Sequence, residues 1–124
     1  MSGAALAGRR ILVVEDSPLL AEFAQQMLED FGCVVVGPTG SMATARDLAI
    51  GAEIDAALLD LNIRGEKIYA VAAMLAERDI PFLFASGYAD WTLPPEYQSV
   101  PRLLKPYRAE TLRPLLEELL APRD

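Results

Sequence analysis

Five short apolar runs punctuate the chain, at residues 11–14, 34–36, 56–59, 82–85 and 103–104. Each is continuous rather than alternating, the pattern of parallel strands covered on both faces. Helical spacing fills the intervals. Ser17-Pro18 offers an N-cap with proline at the first helical position, and Leu19, Leu20, Phe23, Ala24, Met27 and Leu28 form one apolar stripe, which predicts a helix ending near Phe31-Gly32. Ser41 caps a second helix with Ala45, Leu48 and Ala49 on its apolar face and Gly51 closing it. A third is predicted over 66–78 from Ile68, Val71, Ala72 and Leu75. The last carries Leu112, Leu115, Leu116, Leu119 and Leu120, and Pro114 within it predicts a late start or a kink. Between Gly87 and Pro101, Pro94-Pro95 exclude a long helix, and Ala89, Trp91 and Leu93 give no sustained stripe, so a fourth helix there is short or irregular.

Strand and helix alternating five times predict an α/β fold, a doubly wound five-stranded parallel sheet of (βα)5 type in the flavodoxin-like order 2-1-3-4-5. No repeat or linker divides the chain, so residues 9–121 read as one domain, with 1–8 a flexible lead-in and 122–124 a tail. In such a sheet function gathers where strands end. The groups following the five runs are Glu15-Asp16, then Gly37-Pro38-Thr39, Asp60, Ser86-Gly87 and Lys105-Pro106. Strands one and three are neighbours in this order, so Glu15, Asp16 and Asp60 converge.

Three carboxylates in one pocket repel by about 4 kcal/mol per pair at ~4 Å and an effective dielectric near 20. Lys105 brings the formal local charge from −3 to −2, and a divalent cation brings it to zero. Oxygen ligands without His or Cys suit Mg²⁺. The chemistry this composes is attack by Asp60 on phosphorus to give an acyl phosphate, with Mg²⁺ on Glu15 and Asp16 and with Lys105 and the Ser86 hydroxyl holding phosphoryl oxygens. Gly87 leaves room for the group to approach. Taken singly, each residue has an ordinary reading: Asp60 as a helix cap, Ser86 as a loop hydroxyl, Lys105 as a solvated lysine. Their arrival at successive strand ends favours the joint one.

Composition narrows the alternatives. The chain has 124 residues, 52% hydrophobic and 23% charged, with a formal net charge of −7. That charge repels phosphate backbones and anionic lipid, so neither nucleic acid nor membrane is an expected partner. The absence of histidine removes His-dependent triads, His-based metal sites and a phosphohistidine-carrier role. Cys33 is alone and reads as a packed core thiol, consistent with a cytoplasmic protein. No apolar run approaches ~18 residues.

The ordered set Glu15-Asp16, Asp60, Ser86 and Lys105-Pro106 resembles the receiver domain of bacterial two-component response regulators, over essentially 9–121. The resemblance implies Mg²⁺-dependent phosphoryl transfer to Asp60 from a sensor histidine kinase or a histidine phosphotransferase, then altered binding to a downstream protein target. It implies a metal bound by Glu15, Asp16, Asp60 and the backbone carbonyl of Asn62, and a cis Lys105-Pro106 bond. The stretch Pro81-Phe82-Leu83-Phe84-Ala85-Ser86-Gly87-Tyr88 is similar to a subgroup of stand-alone receivers with a Phe-Ala-Thr-Gly-Tyr-type motif, Ser86 replacing Thr. Two departures follow. Asp60-Leu61-Asn62-Ile63-Arg64-Gly65-Glu66 lacks the usual Met-Pro pair and reaches its glycine early, shortening the loop into the third helix. Arg102 stands where the family has its switch aromatic, which leaves Gly87, Tyr88, Trp91, Pro106 and Tyr107 as further switch or interface candidates.

The last helix uses the residues after Arg108, which favours a stand-alone receiver that catalyses only its own phosphorylation and dephosphorylation. A phosphorylation-independent binding scaffold is the alternative. An aspartate-nucleophile phosphohydrolase is disfavoured because Asn62 cannot serve as the acid/base its Asp-x-Asp motif needs.

Overall fold

A computed structural model describes residues 5–87 and 93–122. Its elements are β1 (Arg10–Val14), α1 (Pro18–Asp30), β2 (Val34–Thr39), α2 (Met42–Gly51), β3 (Ala56–Asp60), β4 (Asn62–Ile63), β5 (Glu66–Lys67), α3 (Tyr69–Glu77), β6 (Phe82–Ser86), a 3-10 turn (Pro95–Tyr97), β7 (Arg102–Leu104) and α4 (Ala109–Leu119). Five strands form one parallel sheet in the order β2-β1-β3-β6-β7. This is the doubly wound 2-1-3-4-5 arrangement expected from the alternation, with β6 and β7 as its fourth and fifth strands.

Side-chain alternation along β1 divides the core between the two faces of the sheet. Leu12 and Val14 join Ala45 and Ala49 of α2 and Val71, Ala72 and Leu75 of α3. Ile11 and Val13 join Ala24 and Leu28 of α1 and Leu112 and Leu116 of α4. The central β3 and β6 are buried at every position, whereas Val34 on edge strand β2 and Leu104 on edge strand β7 are exposed. Continuous apolar runs therefore mean two-sided coverage only at the centre of the sheet.

Four expectations need amendment. The α1 stripe is narrower than predicted: Ala21, Ala24 and Leu28 are buried, but Leu19 and Phe23 are 59% and 47% exposed. The third helix begins at Tyr69 because residues 62–67 form a two-residue antiparallel ladder, Asn62 opposite Lys67 and Ile63 opposite Glu66. The early glycine closes a hairpin there rather than merely shortening a loop. Pro114 does not delay the last helix, which starts at Ala109. Proline at this point removes one bond, to the Glu110 carbonyl, while burial of Leu112 and Leu116 holds the segment down. The segment expected to be a flexible lead-in contributes fully buried Leu6 to the core, and Gly8 N–H donates to the Gly32 carbonyl at 2.8 Å. Cys33 is buried, as read.

An aromatic cluster ties β6 to the elements around it. Phe84, fully buried, lies edge-on to Tyr69 at 6.2 Å and to Tyr97 at 5.7 Å, and Tyr69 stacks on Tyr97 at 5.4 Å. Phe84→Ala is expected to lower stability by about 3–5 kcal/mol. Phe23→Ala, on the exposed side of α1, should change it by no more than about 0.5 kcal/mol. Urea unfolding of the two variants checks both values, and a comparable loss in each would return Phe23 to the core.

Candidate functional site

The carboxyl ends of β1, β3, β6 and β7 enclose an open cavity of about 610 Å³ lined by Asp16, Asp60, Asn62, Ser86, Gly87 and Lys105, with Leu20 and Pro106 completing the wall. Glu15, Asp60 and Ser86 are 5%, 5% and 4% exposed, the buried polar residues among those described. One carboxylate oxygen from each of Glu15, Asp16 and Asp60 lies within 4.8 Å of the others. The convergence expected from the strand order is therefore present.

Each acid is held by a specific donor. The Lys105 ammonium lies 3.1 Å from Glu15 Oε1 and 3.1 Å from Asp60 Oδ2. The backbone N–H of Ser17 donates to Glu15 Oε2 at 3.0 Å, that of Asn62 to Asp60 Oδ1 at 3.3 Å, and that of Arg64 to Asp16 Oδ2 at 3.0 Å. Arg64's role was not legible beforehand, because it arises from the hairpin turn and not from the side chain. Gly40 is a second residue the sequence reading passed over. A Cβ there would come within 3.1 Å of the Asp16 Cα and the Glu15 carbonyl, so the β2–α2 connection lies directly against the acid pair.

Burial, reinforced by Glu15, pushes the Asp60 carboxyl up to about 7 against the pull of Lys105. The Arg64 N–H holds Asp16 below the usual carboxylate range. Burial alone disfavours the Lys105 charge, but Asp60 and Glu15 more than offset it and raise its pKa. Burial also raises Tyr107, which packs beside the site rather than lining the cavity. One lysine against three carboxylates leaves a formal charge of −2. An all-oxygen donor set with unneutralised charge fits a hard divalent cation such as Mg²⁺. Asp16 and Asp60 line the open cavity, and Asp16 also lines, with Glu15, a smaller recess of about 210 Å³.

The remaining candidates fall as follows. Gly87 lines the cavity, and a Cβ built on it would meet nothing within 4 Å, so the space beside it belongs to the cavity. The Lys105-Pro106 bond is cis, and so is Gly37-Pro38. Arg102 is exposed opposite Phe84 and donates to the Gln98 carbonyl at 2.9 Å. Tyr88 and Trp91 lie outside the described residues. Among those described, no helix is long and apolar enough to cross a membrane.

No family model matches the sequence. Residues of this chain are 44% identical over 57 positions to the nitrate/nitrite response regulator NarP of Escherichia coli strain K12, covering 45% of this chain and 26% of NarP, so the chain spans about a quarter of that protein's length. The fold is similar to the receiver domain of sensor histidine kinase PA1611 from Pseudomonas aeruginosa, solved with a magnesium ion in its active site cleft, at TM-score 0.77 and 21% identity over 94% of this chain and 100% of that one. SdrG from Sphingomonas melonis Fr1 is similar at TM-score 0.81, covering 94% of this chain and 98% of SdrG, and it has also been solved in a BeF3-activated conformation. At 38% identity to SdrG over nearly the whole of both chains, and with the acid pair, Asp60, Ser86 and Lys105 assembled at one end of a receiver-type sheet, this protein belongs to the response regulator receiver family.

Proposed function

We propose that the protein is a stand-alone receiver that accepts a phosphoryl group on Asp60 and signals through protein contacts. The observation that carries this reading is the placement of Asp60, nearly buried at the floor of an open cavity, beside Lys105 and within 4.8 Å of the acid pair. A histidine kinase or phosphotransferase is the donor class, a downstream protein is the target, and the chemistry is confined to the protein's own phosphorylation and dephosphorylation.

Asp60 Oδ forms a bond to phosphorus while the bond from phosphorus to the donor breaks, and the leaving group departs with that electron pair. With acetyl phosphate the leaving group is acetate, and no proton or electron is needed to balance the step. Lys105 and the Ser86 hydroxyl hold phosphoryl oxygens, and Gly87 keeps the approach open. Glu15, Asp16, Asp60 and the Asn62 carbonyl would hold Mg²⁺, which supplies neutralisation of charge on the phosphoryl oxygens. In this reading the phosphorylated state is read at Gly87, Arg102, Pro106 and Tyr107, with Tyr88 and Trp91, which lie outside the described residues, as further candidates.

Asp60→Asn should take no label when wild type incubated with acetyl phosphate and Mg²⁺ gains one phosphoryl group by intact mass. Retention of wild-type labelling would move the acceptor elsewhere. The same variant tests the electrostatics of the metal-free protein. Asp60 is pushed up to about 7 in the folded protein from an ordinary value of 3.8, so the folded state holds the proton more tightly and stability is lost as pH rises from about 4 to about 7. Without metal, wild type should lose stability relative to Asp60→Asn across that window, by up to about 1.4 kcal/mol per pH unit, as read from urea midpoints. A parallel pH profile in the two proteins would show that Asp60 is not strained.

Lys105→Ala leaves Glu15 and Asp60 facing each other without their shared cation. Metal-free stability at pH 7 should fall by about 3–5 kcal/mol, phosphorylation should be impaired, and Mg²⁺ affinity measured by calorimetry should not fall. Loss of Mg²⁺ affinity equal to the loss of labelling would contradict this division of roles.

A further inference from the structure

The turn joining β4 to β5 is built from two consecutive left-handed residues, Arg64 at φ +50° and Gly65 at φ +86°. Positive φ at both central positions is the requirement of a type I′ hairpin turn, where Asn-Gly is favoured and a long side chain at the first position is disfavoured. This conformation places the Arg64 N–H on Asp16 Oδ2 at 3.0 Å, which fixes the residue at the rim of the acid pocket. The Arg64 side chain is exposed and borders the recess shared by Glu15, Asp16 and Thr39. Its guanidinium makes no hydrogen bond or ion pair with the described residues.

Asp16 lines both cavities, with Lys105 in the larger and Arg64 in the smaller. The two cations are therefore unlike. Lys105 is committed to Glu15 and Asp60, whereas Arg64 is anchored by its main chain and leaves its fork of donors open. A dianionic phosphoryl group approaching these acids is repelled to the extent that a bound cation does not neutralise them, and a positive charge beside Asp16 offsets what is left. A guanidinium can engage two of its oxygens at once.

We propose that Arg64 is a specificity-determining contact for the phosphoryl donor, engaging its anionic oxygens at the rim as the group is delivered to Asp60. This rests on the reading of Asp60 as acceptor. The substrate class is a small or protein-borne donor with a doubly charged phosphoryl group, and Asp60 alone forms the new bond to phosphorus. Lys67 supplies an internal comparison: it is exposed on the same hairpin, opposite Asn62, and lines neither cavity.

The test measures initial labelling rates against acetyl phosphate concentration at fixed Mg²⁺ for wild type, Arg64→Asn, Arg64→Lys and Lys67→Ala, with Mg²⁺ affinity by calorimetry and stability by urea. Asn is tolerated in the left-handed region, so Arg64→Asn should be at least as stable as wild type. Its rate per unit donor concentration should fall about tenfold, the worth of one charge-assisted hydrogen bond. Arg64→Lys should recover part of that loss, Lys67→Ala should stay within about twofold of wild type, and no variant should lose Mg²⁺ affinity. An unchanged donor dependence in Arg64→Asn, an equal loss in Lys67→Ala, or a parallel loss of Mg²⁺ affinity overturns the proposal while leaving Asp60 as acceptor. A wild type that takes no label overturns the acceptor reading, and this inference with it.

Discussion

The Lys105 ammonium, 3.1 Å from both Glu15 and Asp60, is what allows two nearly buried carboxylates to end neighbouring strands. Without it their mutual repulsion in a poorly solvated pocket would work against closing the sheet at this end. The compensation is incomplete, because Asp16 adds a third charge and Asp60 is still pushed up to about 7. Such a pocket is stable enough to fold and still carries excess negative charge, which is the condition for taking up a cation.

The backbone around the pocket is shaped by the same constraint. Three N–H groups, from Ser17, Asn62 and Arg64, are turned onto the three acids. The Ser17 donor comes from the N-cap of α1, and the Arg64 donor exists only because a hairpin places residue 64 in a left-handed conformation. Beyond the hairpin, Tyr69 opens α3 and stacks on Tyr97 of the 3-10 turn, which lies past Ser86 in the chain. The two chain segments that leave the site from β3 and β6 thus meet again in one aromatic cluster packed on Phe84.

Much of this was legible in the sequence because strand ends and charges are written locally. Four apolar runs followed directly by Glu15-Asp16, Asp60, Ser86 and Lys105 give the sheet order and the site together. The hairpin was not legible, since Glu66 and Lys67 fit the start of an amphipathic helix as well as a two-residue strand, and cross-strand pairing with Asn62 and Ile63 decided between them. Nor was the face of α1. Leu19 and Phe23 have the spacing of core residues, but the small Ala21 and Ala24 bring the helix against the sheet and leave the larger side chains outside. Arg102 read as non-aromatic at a position where a ring was expected, and the structure shows it exposed, with the neighbouring ring cluster built from Tyr69, Phe84 and Tyr97 instead.

The central claim is that the excess charge of this pocket is organised around one reactive carboxylate. Trapping tests it most directly: the protein is treated with acetyl phosphate and Mg²⁺, reduced with borohydride to convert an acyl phosphate to an alcohol, digested and mapped by tandem mass spectrometry. The account predicts homoserine at position 60 and nowhere else. Homoserine at another aspartate, or unreduced Asp60 in protein that has gained the mass of a phosphoryl group, would contradict it.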